Sequence, residues 1–251
     1  MSDKRYIDVI CPVYYVDLEV FKKCVSSWYK NIPIRKIYIG IGKENIKLEN
    51  FLWTCPKITM IDQTDYKTLG YCLQELFHWV ETEFFIYLHN DVKLTENWFE
   101  KMWEERVFGI LESQKDPMSF GIQAYKQAER KRAYSGAQLI YKKAIENLKW
   151  EDDYVYTTED LIIQKTIIDL GFEYKKVPIY HKHYIQNAKR TQPRETILDW
   201  QWKALIKYTQ PNEQLADYIK SIKKILEEKH KTKINLKKFI EKNNKKWNNY
   251  I

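Results

Sequence analysis

Hydrophobic and polar positions along this chain fall into two recurring rhythms: short runs of β-forming residues, and longer stretches with apolar residues three and four apart. The densest run is Phe84-Phe85-Ile86-Tyr87-Leu88. It is too short for a lone helix and rich in β-formers, so it predicts a buried central strand that stops abruptly at His89, Asn90 and Asp91. Just before it, Leu69, Cys72, Leu73, Leu76, Phe77 and Val80 make one apolar helical face. Upstream, residues 6–13 read as a strand ending at Pro12. Asp17 can cap a helix carrying Val20, Phe21, Cys24, Val25 and Trp28. Residues 36–41 alternate as a second strand with Gly40-Ile41-Gly42 behind it, and residues 57–61 form a shorter third one.

After Asp91 the pattern predicts a helix capped by Thr95 with Trp98, Met102 and Trp103 on one face, broken over residues 114–117. A strand over 119–125 and a polar loop over 127–132 follow. A second polar concentration (Glu151, Asp152, Asp153, Thr157, Thr158, Glu159, Asp160) leads into an apolar helix closed by Gly171. Residues 174–184 then read as a strand passing through Pro178, which puts His181 and His183 on one face. Beyond Thr191 the rhythm is helical, with a break at Pro211. Strand alternating with helix predicts a mostly parallel sheet covered on both faces.

At 251 residues the chain can bury a substantial core. The four cysteines (Cys11, Cys24, Cys55, Cys72) include no Cys-x-x-Cys pair, and the first residues lack an apolar signal core. Both features point to a cytoplasmic protein without a disulfide frame or structural zinc. No stretch approaches the roughly 20 apolar residues of a membrane span. The net charge of +8 is concentrated at one end: from Asp217 onward 11 lysines face four acids. The remainder is nearly neutral and shows no basic stripe interleaved with stacking aromatics, which argues against nucleic acid as a partner. The lysine-rich tail also carries Ile219, Ile222, Ile225, Leu226, Leu236, Phe239 and Ile240 in stripes. These either dock on the rest of the chain or lie on an anionic membrane surface.

An ordered set of motifs sits on this frame: Val9-Ile10-Cys11-Pro12-Val13-Tyr14, Gly70, Leu88-His89-Asn90-Asp91, Thr158-Glu159-Asp160, Gly171 and Val177-Pro178 before the histidines. Together they resemble the family 2 glycosyltransferases with the GT-A fold, over residues 6–184. The resemblance implies an α/β GT-A-type catalytic domain over residues 1–190 and a basic helical extension over 191–251. It implies transfer of a sugar from a nucleotide-diphosphate donor to a hydroxyl of a saccharide or lipid-linked acceptor, with inversion. The sequence departs from the family pattern in three places: Tyr15 stands at or beside an Asn position, Gly40-Ile41-Gly42-Lys43 replaces Asp-Asp-Gly-Ser, and His89 replaces the first acid of Asp-x-Asp. The Gln-x-x-Arg-Trp motif of processive synthases is missing, so single sugars are expected.

The chemistry suits these residues. A diphosphate leaving group concentrates negative charge that a hard cation neutralises. Mg²⁺ needs one or two carboxylates, whereas an imidazole ligand favours a borderline ion such as Mn²⁺. By resemblance Asp91, with His89 beside it, holds the metal, His181 or His183 completes its shell, and Pro12, Val13, Tyr14, Gly42, Gly70 and Asn90 contact the nucleotide, with His89 either joining the metal shell or touching only the nucleotide. Lys189, Arg190 and Arg194 would clamp the diphosphate. Asp160 would be the general base, with Glu159, Asp152 or Asp153 orienting the acceptor and Trp150 or Tyr154 stacking on it. Each has a plainer counterpart. Asn-Asp is ordinary turn chemistry, Asp160 complements a helix amino terminus, and Thr157 makes a capping-box-like pair with it. Two rival functions are a sugar-nucleotide pyrophosphorylase, which would need a glycine-rich loop where residues 12–17 have none, and a degenerate nucleotide- or glycan-binding module.

Overall fold

The run Phe84–Leu88 is a strand with every residue buried. It lies inside an eight-stranded sheet in a computed structural model of the protein. The structure describes residues 6–14, 16–65, 69–116, 136–146, 148, 159–184 and 194–251, with backbone only at 159–161, 194–197 and 200. In chain order the elements are β1 (Ile7–Val13), α1 (Leu18–Asn31), β2 (Ile34–Ile41), α2 (Ile46–Trp53), β3 (Ile58–Asp62), α3 (Leu69–Trp79), β4 (Phe84–Leu88), β5 (Val92–Leu94), α4 (Trp98–Glu104), β6 (Gly109–Lys115), β7 (Ala137–Tyr141), α5 (Glu159–Asp169), β8 (Glu173–His183), α6 (Arg194–Tyr208), α7 (Glu213–His230) and α8 (Leu236–Asn243). The expected strand over 119–125, the loop over 127–132, and Tyr15, Trp150, Glu151, Asp152, Asp153, Tyr154, Thr157, Thr158, Lys189 and Arg190 lie outside the described residues.

The strands run in the order β3-β2-β1-β4-β7-β6-β8-β5. The first four are mutually parallel. β7 is antiparallel to both β4 and β6, β8 is parallel to β6, and β5 returns antiparallel on β8. This arrangement brings the carboxyl ends of β1, β2, β4 and β8 to one edge, where open α/β sheets place their ligands. Alternate strand residues feed two cores. Phe84, Ile86 and Leu88 pack with α1, α2 and α4, while Phe85 and Tyr87 pack with α3 and α5–α8.

Local chemistry explains most of the elements the pattern predicted. The Asp17 carboxylate accepts hydrogen bonds from the amides of Glu19 and Val20 and so starts α1. Pro12 lies inside β1 opposite Gly40 of β2, but pairing with β4 has ended at Ile10, so its missing N–H breaks no ladder bond. Pro178 lies in β8 where the register with β6 shifts between Ser113 and Gln114, a bulge that tolerates a proline. Gly171 ends α5 at a φ of 86°, a conformation few side chains accept.

Other elements differ from the expectation. Thr95 caps nothing; its hydroxyl donates to the carbonyl of Tyr180 at 2.7 Å, and Asn97 at φ 55° precedes α4 instead. The strands β5, β6 and β7 have no counterpart in the hydrophobic pattern. The tail resolves in favour of docking: Ile219, Ile222, Leu226, Leu236 and Ile240 are buried in the same core as Phe85 and Tyr87, leaving Ile225 41% exposed. No helix of the described residues is long and apolar enough to cross a membrane.

Candidate metal centre

The site grows from the end of β4. His89 leaves the strand with its amide donating to the carbonyl of Gly136 at 2.8 Å. The chain then turns, Val92 N–H to His89 C=O at 3.2 Å, and continues as β5. Helix α1 fixes that return: the Trp28 indole donates to the Val92 carbonyl at 2.8 Å, and the Ser27 hydroxyl accepts from the Leu94 amide at 3.0 Å. β5 pairs with β8 so that Val92 faces His183 and Leu94 faces His181. Asp91 is thereby held beside the end of β8, its carbonyl accepting from the Tyr184 amide at 2.8 Å.

His183 Nε2 and Asp91 Oδ1 are 2.7 Å apart. The His89 and His183 rings are 5.6 Å apart edge to face. One ligand atom from each of His89, Asp91 and His183 lies within 4.8 Å of the others, a group that could hold a metal ion. Of the candidate ligands the structure therefore brings together Asp91, His183 and His89, the residue that stands in place of the first acid of Asp-x-Asp. His181 goes elsewhere: fully buried, its Nδ1 meets the Ser113 hydroxyl at 2.8 Å, and that hydroxyl also donates to the Ala137 carbonyl at 3.1 Å.

Burial sets the electrostatics. It pushes both His89 and His183 down to about 3, with the Lys115 cation adding to the effect in each case. Burial also raises the Asp91 carboxyl, against the opposing influence of His89 and Lys115. The two imidazoles are therefore neutral at pH 7, and the contact of His183 with Asp91 is a hydrogen bond to a neutral ring, not an ion pair. Two neutral imidazoles and one carboxylate form a donor set that fits a borderline divalent ion such as Mn²⁺ better than Mg²⁺.

The other predicted residues take defined places. Gly42 donates its N–H to the Val13 carbonyl at 2.8 Å, and a Cβ there would meet the Tyr14 ring at 2.8 Å. Pro12, Val13, Tyr14 and Gly42 thus form one wall at the ends of β1 and β2, on the same edge as the metal cluster. Gly70 is buried in the first turn of α3, and Asn90 lies in the turn with Asp91. Glu159 and Asp160 begin α5 and Arg194 begins α6; their side chains are outside the described set.

Two further residues at the site carried no clear signal in the sequence. A Cβ on Gly136, at φ 69°, would lie 2.4 Å from the His89 ring, so only glycine fits against that ligand. Lys115, at the end of β6, places a cation where all three cluster members feel it.

No protein-family model matches the chain, and no curated protein matches it by sequence. Solved structures do. The mannosyltransferase PcManGT from Pyrobaculum calidifontis, in complex with GDP-Man and Mn²⁺, superposes with a TM-score of 0.61 at 12% identity, covering 82% of this chain and 64% of that one. GalNAc-T7 with UDP, GalNAc and Mn²⁺ gives 0.59 at 16% identity, covering 94% and 57%. Glucosyl-3-phosphoglycerate synthase from Mycobacterium tuberculosis, in complex with phosphoglyceric acid, gives 0.58 at 10%, covering 80% and 78%. The chain thus spans less than two thirds of the first two. At such identities the shared property is the fold, and it is the GT-A-type α/β fold expected from the motifs.

Proposed function

We propose that the protein transfers a single sugar from a nucleotide-diphosphate donor to a hydroxyl of a saccharide or glycolipid acceptor, with inversion at the anomeric carbon. The observation that carries this reading is the meeting of His89, Asp91 and His183 at the carboxyl edge of this sheet. Two structures of the same fold contain Mn²⁺ together with GDP-Man or with UDP.

In this reading His89, Asp91 and His183 hold a divalent ion, Mn²⁺ in preference to Mg²⁺, which when bound neutralises charge on the diphosphate. Lys115 adds a second positive charge on the same side. Pro12, Val13, Tyr14 and Gly42 form the wall against which the nucleoside lies, and Arg190 and Arg194, which follow β8 in the sequence, supply cationic charge to the diphosphate. The acceptor oxygen attacks the anomeric carbon as the bond to the diphosphate breaks, and the nucleoside diphosphate departs with that electron pair. Asp160, in the first turn of α5, takes the acceptor proton, and Glu159 orients the acceptor hydroxyl. A positioned carboxylate in that role is worth on the order of 10²- to 10⁴-fold in rate.

The test is to incubate the protein with Mn²⁺ and a panel of nucleotide-diphosphate sugars, following donor hydrolysis and transfer by mass spectrometry. Asp160→Asn is expected to bind donor and lose turnover, whereas Asp91→Ala loses both. Full activity in both variants, or no binding of any nucleotide diphosphate, overturns the reading.

A further inference from the structure

A concave site lies in the C-terminal helices, lined by none of the metal-cluster residues. It is a cleft of about 810 Å³ between α7, the turn that follows it and α8, with Ile251 on one side. Four lysines converge on it: Lys220 and Lys223 from successive turns of α7, Lys233 from the turn, and Lys237 from the start of α8. Among the described residues Glu227 is the one carboxylate in ion-pair contact with any of them, at 2.9 Å from Lys223. Glu227 also accepts the Ile234 amide at 2.7 Å, which ties the turn to α7 and holds Lys233 and Lys237 opposite the other two. Ile234 and the buried Ile240 supply an apolar lining to the same cleft.

Four ammonium groups outnumber the Glu227 carboxylate and the terminal carboxylate of Ile251, and a concave surface focuses the excess positive field onto an incoming anion. Lysine binds phosphate as a point charge and needs no planar partner. The aliphatic lining distinguishes among phosphate ligands, because a free phosphate ion or a nucleic-acid backbone would leave it uncovered, whereas the first acyl methylenes of a phospholipid cover it. We propose that this cleft docks the headgroup of an anionic phospholipid and so seats the protein on a membrane surface. The apolar stripes of α7 and α8 are already spent on the core, so the contact is a headgroup clamp and not an inserted helix. The proposal does not depend on the sugar-transfer reading.

The test is cosedimentation of the full chain with vesicles of phosphatidylcholine, alone or mixed with phosphatidylglycerol. Binding is expected with the anionic vesicles only. The double variant Lys220→Glu with Lys237→Glu should weaken it by about tenfold or more, since each lysine near such a surface contributes on the order of 1 kcal/mol. Lys36→Glu with Lys47→Glu makes the same charge change at exposed positions elsewhere and should leave binding close to wild type. Equal loss in the two double variants overturns the cleft as the site. So does failure of the wild-type protein to bind anionic vesicles, displacement from them by inorganic phosphate at constant ionic strength, or preferential binding of duplex DNA.

Discussion

His183 Nε2 and Asp91 Oδ1 meet at 2.7 Å although 92 residues separate them in the chain. The contact follows from one short strand: β5 turns back from Asp91 and pairs with the end of β8, with Val92 opposite His183. Removing either partner should therefore abolish a shared ligand set. Asp91→Ala and His183→Ala are expected to weaken Mn²⁺ binding at least tenfold by calorimetry. His181→Gln, two residues away and turned to Ser113, should bind Mn²⁺ within a few fold of wild type. Equal loss for His181→Gln would return that residue to the ligand set.

Gly136 tests the other side of the cluster. A methyl group there would overlap the His89 ring and strain a backbone at φ 69°. Gly136→Ala should weaken metal binding as much as His89→Ala does, while costing about 1–3 kcal/mol of stability. Unchanged metal affinity in Gly136→Ala would mean that His89 is not held by this contact.

Acid should destabilise the metal-free fold. His89 and His183 titrate near 3 when folded against 6.5 in the unfolded chain. Between those values the unfolded chain binds more protons, so stability is complete above about pH 6.5 and falls as the pH drops toward 3. Urea unfolding at pH 7 and pH 5 should show the loss, and the double variant His89→Gln with His183→Gln should show a smaller one. An equal pH dependence in the double variant would place its origin elsewhere.

Asp8 anchors the opposite edge of the sheet. Its buried carboxylate accepts from Arg35 Nε and Nη2 at 2.7 and 2.8 Å and from the amides of Glu81 and Thr82 at 2.8 and 3.2 Å, joining β1, β2 and the turn before β4. Asp8→Ala leaves these donors without their acceptor and should cost roughly 2–4 kcal/mol in urea unfolding. A loss under about 0.5 kcal/mol would show that water replaces the carboxylate at little cost.

The sequence alone determined the elements whose pattern is complete within a few residues. β4 is buried on both faces and therefore reads as an uninterrupted apolar run. α3 shows a single apolar face, and α1 carries its own cap at Asp17. The order of motifs was sufficient for the fold. Only the tertiary structure revealed β6 and β7, because they bury polar residues that look solvated in sequence. Glu112 is fully buried with Gln138 Nε2 at 3.1 Å and Lys176 Nζ at 3.2 Å, partners that lie 26 and 64 residues further along the chain. The choice between His181 and His183 was likewise invisible. Strand alternation puts both on one face, and what separates them is the Ser113 hydroxyl on one neighbouring strand and Asp91, at the start of the other, beside His183. Periodicity fixes which face a side chain takes, whereas its partner depends on register between distant strands, and that register is set by packing across the whole sheet.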